Sequence, residues 1–384
     1  MSSKDIETTD SAKPEAPETS RRNLLRNAAL VGGAAAVATV AAPNVSRAQT
    51  VSWRFQSTWP QKDIFHEFAQ DYAKRVNDMG GGRLRLEVLA AGTVVPAFQM
   101  QDAVHAGALD GGHGVSAYWY GKNKAFSLFG TAPPYFHDAN SVLGWHQYGG
   151  GKELYNELVQ GILKLNLVGF MSGPMMTQPL GWFKQPITNA GQLKNLKFRT
   201  VGLGADLFKE LGTAVTILAG GEIVPAIDRG LIDGAEFNNP SSDRVLGFPD
   251  VAKNYMLQSY HQRTEFFEIL FNKGKFDALA AEQKAILQYA AEAASSDMLW
   301  KAMDRYSKDL EEMTAKQGVK ATQTPKDVLD AQLAAWDKVI DSLSADAFFK
   351  KVIDSQKAWA RRVGGFVNQY EAPTQQAFAH FFKA

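Results

Sequence analysis

Cysteine is absent from the 384 residues of this sequence. Its absence excludes disulfide bonds, thiolate metal sites, iron–sulfur clusters and covalently attached haem. An excess of charge of either sign is also lacking, because 41 Lys and Arg side chains face 40 Asp and Glu side chains. Residues 49–384 contain no basic stripe, so we expect no nucleic-acid partner, since binding nucleic acid depends on neutralising phosphates.

A long, strongly apolar run is lacking as well. The Ala-rich stretch at 28–43 falls short of the roughly 20 apolar residues that a membrane span needs. It follows an arginine pair, Arg21 and Arg22, and precedes a small-x-small site at 46–48. This pattern is typical of a twin-arginine export signal. We therefore predict that residues 1–48 are a removed signal peptide and that the protein works in the periplasm. A membrane helix is the alternative.

Strands and helices alternate in the rest of the chain. Alternating apolar residues at 51–57 and 83–90 predict strands, and apolar residues at helical spacing in 62–80 predict a helix between them. The same kind of pattern restarts near residue 165. Because about 336 residues are too many for one core, we predict an α/β fold with two domains and largely parallel sheets.

The last hundred residues differ in kind from those before them. Residues 279–318 have helical composition without proline, far beyond the average helix of about 11–12 residues. Two amphipathic segments follow, at 325–343 and 346–384. We predict long helices whose apolar faces pack on the two domains, since such faces usually go to the core. A surface for another protein is the alternative.

Two stretches, 91–116 and 219–240, repeat one pattern. Each reads as a small-residue loop, Val/Ile-Val-Pro, an amphipathic helix, Gly-x-Leu/Ile-Asp-Gly and then a strand end. Ligands of open α/β sheets lie beyond the carboxyl ends of strands. We therefore expect the copies to deliver His113–Ser116 and Glu236–Asn239 to a common cleft. An ordinary helix stop and turn is the alternative.

Aromatic and basic residues lie next to these strand ends. The loop YWYGKN at 118–123 has three aromatic side chains, and we predict that they close over a ligand. Arg199 ends the apolar strand LKFR, where the last side chain points into the cleft. Its planar guanidinium suits a carboxylate held by two hydrogen bonds.

An enzyme is the competing class. A periplasmic hydrolase or lyase would use Glu236 as its base, with His113 or His261 beside it. The seven histidines show no His-x-His or His-Glu-x-x-His spacing, and no Gly-x-Ser-x-Gly turn is present. His113 is predicted to be structural, and the enzyme stays the less favoured alternative.

Three strings carry a resemblance to a known family: AGTVVPAFQMQDAVHAGALDGG, GGEIVPAIDRGLIDGAE and LKNLKFRTVGLGADLFKELG. Together they resemble the extracytoplasmic solute-binding subunits (DctP type) of tripartite ATP-independent periplasmic (TRAP) transporters. The likeness runs from Trp53 to Phe276 and continues more loosely into the long helix. Within the family the chain is most similar to the subgroup that binds 2-oxo acids such as pyruvate, or lactate, together with a metal cation.

The resemblance implies a fold and a role. It implies a two-lobed periplasmic binding protein fold with mixed, mostly parallel sheets, hinge strands and long C-terminal helices. Lobe I would comprise 49–170 with 266–300 returning to it, lobe II 171–265, and the linker and C-terminal helices 277–384. The protein would capture a small 2-oxo or 2-hydroxy monocarboxylate with Na⁺ or Ca²⁺ and deliver it to membrane permease subunits, without any reaction.

The resemblance also implies site residues. Arg199 would clamp the carboxylate of the ligand. Gln178, Glu236 and the main-chain oxygen of Phe237 would bind the cation, and such oxygen ligands suit a hard metal ion. The expectation for Glu236 agrees with its chemistry, because a buried acid beside an anion needs a cation between them. The other expected ligand-facing residues are Val115, Ser116, Tyr118 and Gln262.

Some positions depart from the family pattern. Phe237 stands where the 2-oxo-acid binders have Trp, which matters little if only its main-chain oxygen is used. An acidic residue of their pocket falls on Gln262, and an Asn falls near Pro174. These two changes leave the identity of the ligand open. Members of the subgroup can exchange a C-terminal helix in a homodimer, which here would use the long segment 279–318.

Overall fold

The computed structural model describes residues 50–382. The predicted export signal at 1–48 lies outside these residues. Within the described part of the chain, no helix combines the length and the apolarity that crossing a bilayer requires. The strands of this part form two sheets, and helices pack around each of them.

Most strands lie where the sequence pattern predicts them. The strands are β1 (Val51–Ser57), β2 (Leu84–Leu89), β3 (Gly111–Gly114), β4 (Leu167–Met175), β5 (Gly181–Phe183), β6 (Lys197–Arg199), β7 (Ala214–Thr216), β8 (Gly234–Ala235), β9 (Asn254–Leu257), β10 (Glu265–Asn272) and β11 (Lys320–Gln323).

The helices include one of 36 residues, in the segment predicted to be one long helix. The helices are α1 (Ile64–Gly80), α2 (Met100–His105), α3 (Ala139–Tyr148), α4 (Gly151–Asn156), α5 (Leu203–Glu210), α6 (Gly220–Asp228), α7 (Pro240–Leu246), α8 (Phe248–Val251), α9 (Lys273–Asp277), α10 (Ala281–Lys316), α11 (Lys326–Leu343), α12 (Ala347–Tyr370) and α13 (Thr374–Phe381).

The first sheet has the strand order β2-β1-β3-β10-β4. Its first three strands are parallel, as βα units dictate. β10 lies antiparallel between β3 and β4, although it comes more than 150 residues after β3 in the sequence. All eight residues of β10 are buried, so this strand joins the two halves of the first lobe.

The second sheet has the order β11-β9-β5-β8-β6-β7. Its edge strand β11 lies between the predicted helical segments 279–318 and 325–343, where the sequence analysis predicts no strand. Of the nine strand pairings in the two sheets, five are parallel and four are antiparallel. The predicted mixed, mostly parallel, two-lobed fold is confirmed, with the parallel pairs in a narrow majority.

The glycines of β3 allow close packing in the centre of the first sheet. A Cβ atom added at Gly112 would lie 2.1 Å from the Met100 sulfur of α2. One added at Gly111 would lie 2.6 Å from the ring of Phe271 in β10. The first copy of the repeat is therefore rich in glycine because its strand is covered closely on both sides, and His113 is its one long side chain.

The long helix α10 packs inside the chain. Its buried face, which includes Leu287, Ala291 and Met298, lies on β4, α1 and α7. The predicted packing of the C-terminal region is confirmed for this helix. By contrast, α13 buries none of its residues. Exposed aromatic side chains are concentrated there and at the end of α12: Phe366, Tyr370, Phe378, Phe381 and Phe382.

Each lobe contains a buried carboxyl group that accepts hydrogen bonds from aromatic side chains of the same lobe. In the first lobe, Glu268 of β10 accepts hydrogen bonds from the Tyr155 hydroxyl, at 2.5 Å, and from the Trp119 indole. In the second lobe, Asp243 of α7 accepts one from the Trp182 indole at 2.8 Å. Burial raises the pKa of Glu268 to about 7 and that of Asp243 to about 8.

The raised pKa of Asp243 predicts how stability depends on pH. An unfolded Asp loses its proton near 3.8, whereas folded Asp243 keeps it up to about 8, so unfolding releases a proton between these values. The free energy of unfolding therefore falls as pH rises, by up to about 1.4 kcal/mol per pH unit. Buried neutral histidines act in the opposite direction only below about pH 6.5.

We expect Asp243→Asn to reduce the fall in the free energy of unfolding between pH 6.5 and 8, because the amide has no proton to release. Urea unfolding at both pH values measures it. The exposed Asp78, in an ion pair with Lys74 on the surface of α1, supplies the control Asp78→Asn, which should keep the wild-type slope. Equal slopes in wild type and Asp243→Asn would contradict the prediction.

Candidate functional site

A small cavity of about 10 Å³ lies where strand ends of the two sheets meet. β1 and β3 of the first sheet and β6 and β8 of the second all end beside it. This is the edge at which open α/β sheets bind ligands. The lining residues are Trp59, Phe65, Val115, Tyr118, Gln178, Arg199, Val201, Phe237, Asn238, Gln262 and Glu265.

The buried guanidinium of Arg199 dominates the polar side of the cavity. Its Nε donates to the Leu218 carbonyl, and its Nη1 donates to both the main-chain and a carboxylate oxygen of Glu236, all at 2.9 Å. These three hydrogen bonds fix the plane of the group. The remaining nitrogen, Nη2, is buried without a hydrogen-bond partner. The cavity therefore has a fixed cationic donor with unused capacity.

Glu236 forms an ion pair with this arginine. Both side chains are at most 1% exposed. Burial raises the pKa of Glu236, while the charge of Arg199 and the Thr200 hydroxyl lower it. Arg199 thus supplies the counter-charge that Glu236 needs. The expected cation beside a bound anion stays a prediction, because one guanidinium can balance only one of two carboxylates.

Two oxygen atoms near Glu236 lack hydrogen bonds. Gln178 donates from Nε2 to Glu265 at 2.6 Å, while its Oε1 is buried without a partner. The main-chain oxygen of Phe237 accepts no hydrogen bond from the residues that the structure describes. An amide oxygen, a carbonyl oxygen and the Glu236 carboxylate are the kind of ligands that a hard cation takes. These residues therefore fit a Na⁺ or Ca²⁺ ion.

Residues 50–382 contain no group of three or more His, Cys, Asp or Glu side chains placed to hold a metal. The oxygen set at Gln178, Glu236 and Phe237 has a single acidic side chain, so it is not of that kind. Ions bound by such a set depend on oxygen atoms of the ligand to complete their coordination.

The sequence reasoning missed Glu265, the one acid that lines the cavity; Glu236 pairs with Arg199 and is not among the lining residues. Glu265 accepts hydrogen bonds from Gln178 and, at 3.0 Å, from Asn238. Burial raises its pKa to about 8, and the charge of Glu236 acts in the same direction. The signal was an acid at the start of EFFEILF, an otherwise apolar strand apart from Glu268. Such a residue has no solvent to face when the whole strand is buried.

Gln262, the position where the family's acid was expected, also lines the cavity. Its Nε2 donates to the Thr131 hydroxyl at 3.2 Å, and its Oε1 has no partner. The structure therefore puts an amide at this position and an acid three residues later, at Glu265. Ser116 is buried beside Gly130 and is not among the lining residues, although its neighbour Val115 is.

The other lining residues are largely apolar. Trp59 packs edge-on against Phe65, with ring centroids 4.9 Å apart, and its ring is 5.7 Å from that of Tyr118. Tyr118 is half-buried and rests edge-on against Phe98 at 4.8 Å. Trp59 and Phe65, like Val201, were not among the predicted site residues, whereas Asn238 lies in the segment 236–239 that was expected at the cleft. For Trp59, the sequence signal was an aromatic residue that closely follows the end of β1.

The predicted lid of three aromatics is wrong for Trp119. Its indole points into the first lobe, where it bonds Glu268 and is 1% exposed. Tyr120 donates to Asp206 of α5 at 2.5 Å, and Lys124 lies 3.1 Å from the same carboxylate. Of the three aromatics, only Tyr118 lines the cavity. The other two serve the core and the contact between the lobes.

Neither candidate catalytic histidine lines the cavity. His113 accepts a hydrogen bond from the Trp59 indole at 2.9 Å, as a structural histidine would. His261 lies 2.6 Å from the Ser259 hydroxyl. Burial lowers the pKa of both imidazoles to about 3, so both are neutral. The lining residues thus include no pairing of a nucleophile with an imidazole base.

Comparison with known proteins identifies close relatives. The chain is 32% identical over 348 residues to the monocarboxylate 2-oxoacid-binding periplasmic protein of Nostoc sp., covering 89% of this chain and 94% of the relative. A TRAP transporter solute-binding protein of Bordetella bronchiseptica is 27% identical with a TM-score of 0.81, covering 87% of this chain and 97% of that one. It is a dimer with copurified calcium and picolinate.

A third relative was solved with sodium and pyruvate. This TRAP periplasmic solute-binding protein of Pseudoalteromonas atlantica is 28% identical with a TM-score of 0.80, covering 87% of this chain and all of the other. The family model described as bacterial extracellular solute-binding protein, family 7, matches residues 55–351. With more than half of its length matched, and with the fold that it shares with these relatives, this chain belongs to that family of TRAP solute-binding proteins.

Proposed function

We propose that this protein binds a small 2-oxo or 2-hydroxy monocarboxylate together with Na⁺ or Ca²⁺ in the periplasm and delivers both to the permease subunits of a TRAP transporter. The observation that carries this proposal is the unpaired Nη2 of Arg199 in an enclosed cavity. A buried cationic donor without an acceptor is costly, and a carboxylate oxygen is the acceptor that it suits best.

The small volume of the cavity supports a short ligand. Drug-sized ligands occupy pockets of roughly 300–1,000 Å³, whereas this cavity measures about 10 Å³, the space of about one water molecule. A ligand must therefore be short, and the lobes must move apart to admit it. Its charged end would face Arg199, and its carbon chain would lie against Trp59, Val115 and Tyr118.

Charge balance supports a bound cation. Arg199 and Glu236 neutralise each other, and the raised pKa of Glu265 keeps that acid largely neutral at pH 7. A carboxylate ligand would therefore add a buried negative charge with no counter-charge of its own. A cation at Gln178, Glu236 and Phe237 would supply it and would bind the oxygens of the ligand. Relatives with calcium and picolinate, or with sodium and pyruvate, support the same choice.

We propose binding without a reaction. The lining residues include no histidine and no activated nucleophile, and the alternative of a hydrolase with Glu236 as base is not favoured because Arg199 holds that carboxylate. The closed lobes are held across the cleft by Tyr120 on Asp206 and by the Ser242 hydroxyl on Asp63 at 2.6 Å. Opening of this interface would release the ligand.

The route out of the cytoplasm and the domain boundaries also stay proposals. Export by the twin-arginine pathway rests on Arg21, Arg22 and the residues after them. The relatives' names place them in the periplasm or outside the cell, in agreement with an exported protein. The boundary between the lobes, predicted at residues 170 and 265, falls close to β4 and β10, the strands next to the crossings between the sheets.

We propose that the C-terminal end mediates a homodimer. The segment 279–318, predicted to be exchanged, is packed within the chain as α10, whereas α13 leaves Phe378 and Phe381 exposed. An apolar groove of about 380 Å³ lies beside α10 and would receive α13 of a second copy. Its apolar lining includes Met176, Pro179, Leu257, Met303 and Leu310. The groove has few polar groups, so it suits an aromatic helix better than a carboxylate.

Substitution of Arg199 tests the carboxylate clamp. We expect Arg199→Lys to weaken pyruvate binding by about 100-fold, because Lys keeps the charge but cannot hold both Glu236 and the ligand with a planar fork. Isothermal titration with pyruvate and with lactate, each with and without calcium, measures the change. Wild-type affinity in the variant would show that the clamp is misassigned. Absence of heat from the wild type with any short 2-oxo or 2-hydroxy acid would overturn the proposed function.

Substitution of Gln178 tests the cation site. In metal-stripped wild type we expect calcium or sodium to increase pyruvate affinity, and Gln178→Leu to reduce that increase by about tenfold through loss of one oxygen ligand. Gln262→Leu is the matched control, since Gln262 lines the same cavity outside the proposed cation set. Titration of ligand at several cation concentrations measures both. A cation effect lost in Gln262→Leu and kept in Gln178→Leu would contradict the assignment.

Replacement of the exposed aromatics tests the dimer. Light scattering after gel filtration should give a dimer for the mature protein and a monomer for Phe378→Glu/Phe381→Glu. Met303→Glu in the groove should give the same result, because Met303 is 53% exposed within one chain. Trp300→Glu, also on the exposed side of α10 but outside the groove lining, is the control that should remain dimeric. A monomeric wild type would exclude helix-mediated pairing.

A further inference from the structure

His113 has a contact that the proposed function does not use. It is the central side chain of the first copy of the repeat, fully buried in β3 between β1 and β10. Its Nδ1 accepts a hydrogen bond from the Trp59 indole at 2.9 Å. Its main-chain oxygen also accepts from the amide of Thr58 at 2.9 Å. His113 therefore holds the end of β1 and the side chain that follows it.

The tautomer of His113 follows from this contact. An indole can only donate, so Nδ1 must carry a lone pair and the proton must lie on Nε2. Burial lowers the pKa of His113 to about 3, and the charge of His66 adds to this, so the ring is neutral near pH 7. Its face rests on Phe267, with centroids 4.4 Å apart. The acceptor is thus held in one position by packing and by its protonation state.

Trp59 is the largest apolar residue that lines the ligand cavity. It is 1% exposed, and Phe65 and Phe267 pack edge-on against it at 4.9 and 5.7 Å. These ring contacts restrict the indole but give its N–H no partner, because an edge-on ring contact has no polar direction. The bond to His113 supplies that direction, since a buried indole N–H without a partner is unfavourable.

We infer that His113 determines the chain length of the ligand by fixing the Trp59 indole as the apolar end wall of the cavity. This inference rests on the proposed binding of a 2-oxo monocarboxylate. The carboxylate would be held at Arg199, and the end of the carbon chain would meet the wall that Trp59, Val115 and Tyr118 form. His113 touches none of the ligand itself and is a positioning residue. If Trp59 loses this hydrogen bond, its indole can shift, and a ligand with a longer carbon chain fits.

The test compares variants that keep or remove the acceptor. His113→Phe keeps an aromatic ring on Phe267 but offers Trp59 no acceptor, whereas His113→Asn keeps an acceptor oxygen near the position of Nδ1. His146→Phe is the matched control, because His146 is another buried, neutral histidine but accepts no hydrogen bond from an indole. Urea unfolding verifies that each variant is folded.

The first readout is the affinity ratio of pyruvate to 2-oxopentanoate, measured by isothermal titration. We expect the wild type to favour pyruvate, and His113→Phe to lower that ratio by about tenfold, the effect of one lost hydrogen bond. His113→Asn and His146→Phe should keep the ratio. A general loss of stability would weaken both ligands alike and leave the ratio unchanged. An unchanged ratio in folded His113→Phe would overturn the inference.

The second readout does not need a ligand. In protein labelled with 5-fluorotryptophan, the ¹⁹F resonance of Trp59, assigned by its loss in Trp59→Phe, should shift in His113→Phe and not in His146→Phe. An unmoved resonance overturns the inference whatever the ligand. A wild type that binds no 2-oxo acid overturns the proposed function and the selectivity role, even where the resonance shifts. If His113→Phe does not fold, Trp59→Phe removes the donor of the same bond and must lower the same affinity ratio.

Discussion

The buried ion pair between Arg199 and Glu236 is the constraint on which the site depends. The two residues come from β6 and from the end of its parallel neighbour β8, where Arg199 pairs in register with Ala235. Their sheet register therefore brings the charges together before any ligand arrives. Removing one partner of such a pair leaves an uncompensated buried charge, at a cost of about 3–5 kcal/mol. The ion pair also leaves the cavity neutral overall, so that an anion needs a cation as companion.

The two copies of the repeat contribute differently to the site, one through polar and the other through apolar contacts. The second copy ends in Glu236 and Phe237, beside Arg199, and forms the polar wall. The first copy ends in a glycine strand too closely packed for other side chains, with His113 turned towards Trp59. The same helix and turn therefore lead to a polar wall in one sheet and to an apolar contact in the other, because the residues after the turn have different neighbours.

Local patterns predicted the strands, the long helix and the position of Arg199, because period and strand ends are properties of short segments. They did not predict Glu265, whose role depends on Gln178, 87 residues away. The misplaced lid has the same cause. Trp119 turns inward because its indole donates a hydrogen bond to Glu268, which lies 149 residues later in the sequence. Nothing near Trp119 in the sequence indicates that acid. The segment 139–156 received no prediction, since its helices are short and interrupted by glycine.

The crossings between the two sheets contain two amide side chains that line the cavity. Gln178 lies between β4 and β5, and Gln262 lies between β9 and β10. A main-chain hydrogen bond of 3.2 Å from Gln178 to Gln262 ties the crossings together. Gln258, at the start of the second crossing, has a φ of 69°. Any rotation of one lobe about the other must pass through these segments, so the angle between the lobes and the spacing of the amide oxygens change together. The angle between the lobes therefore depends on whether the cavity is filled.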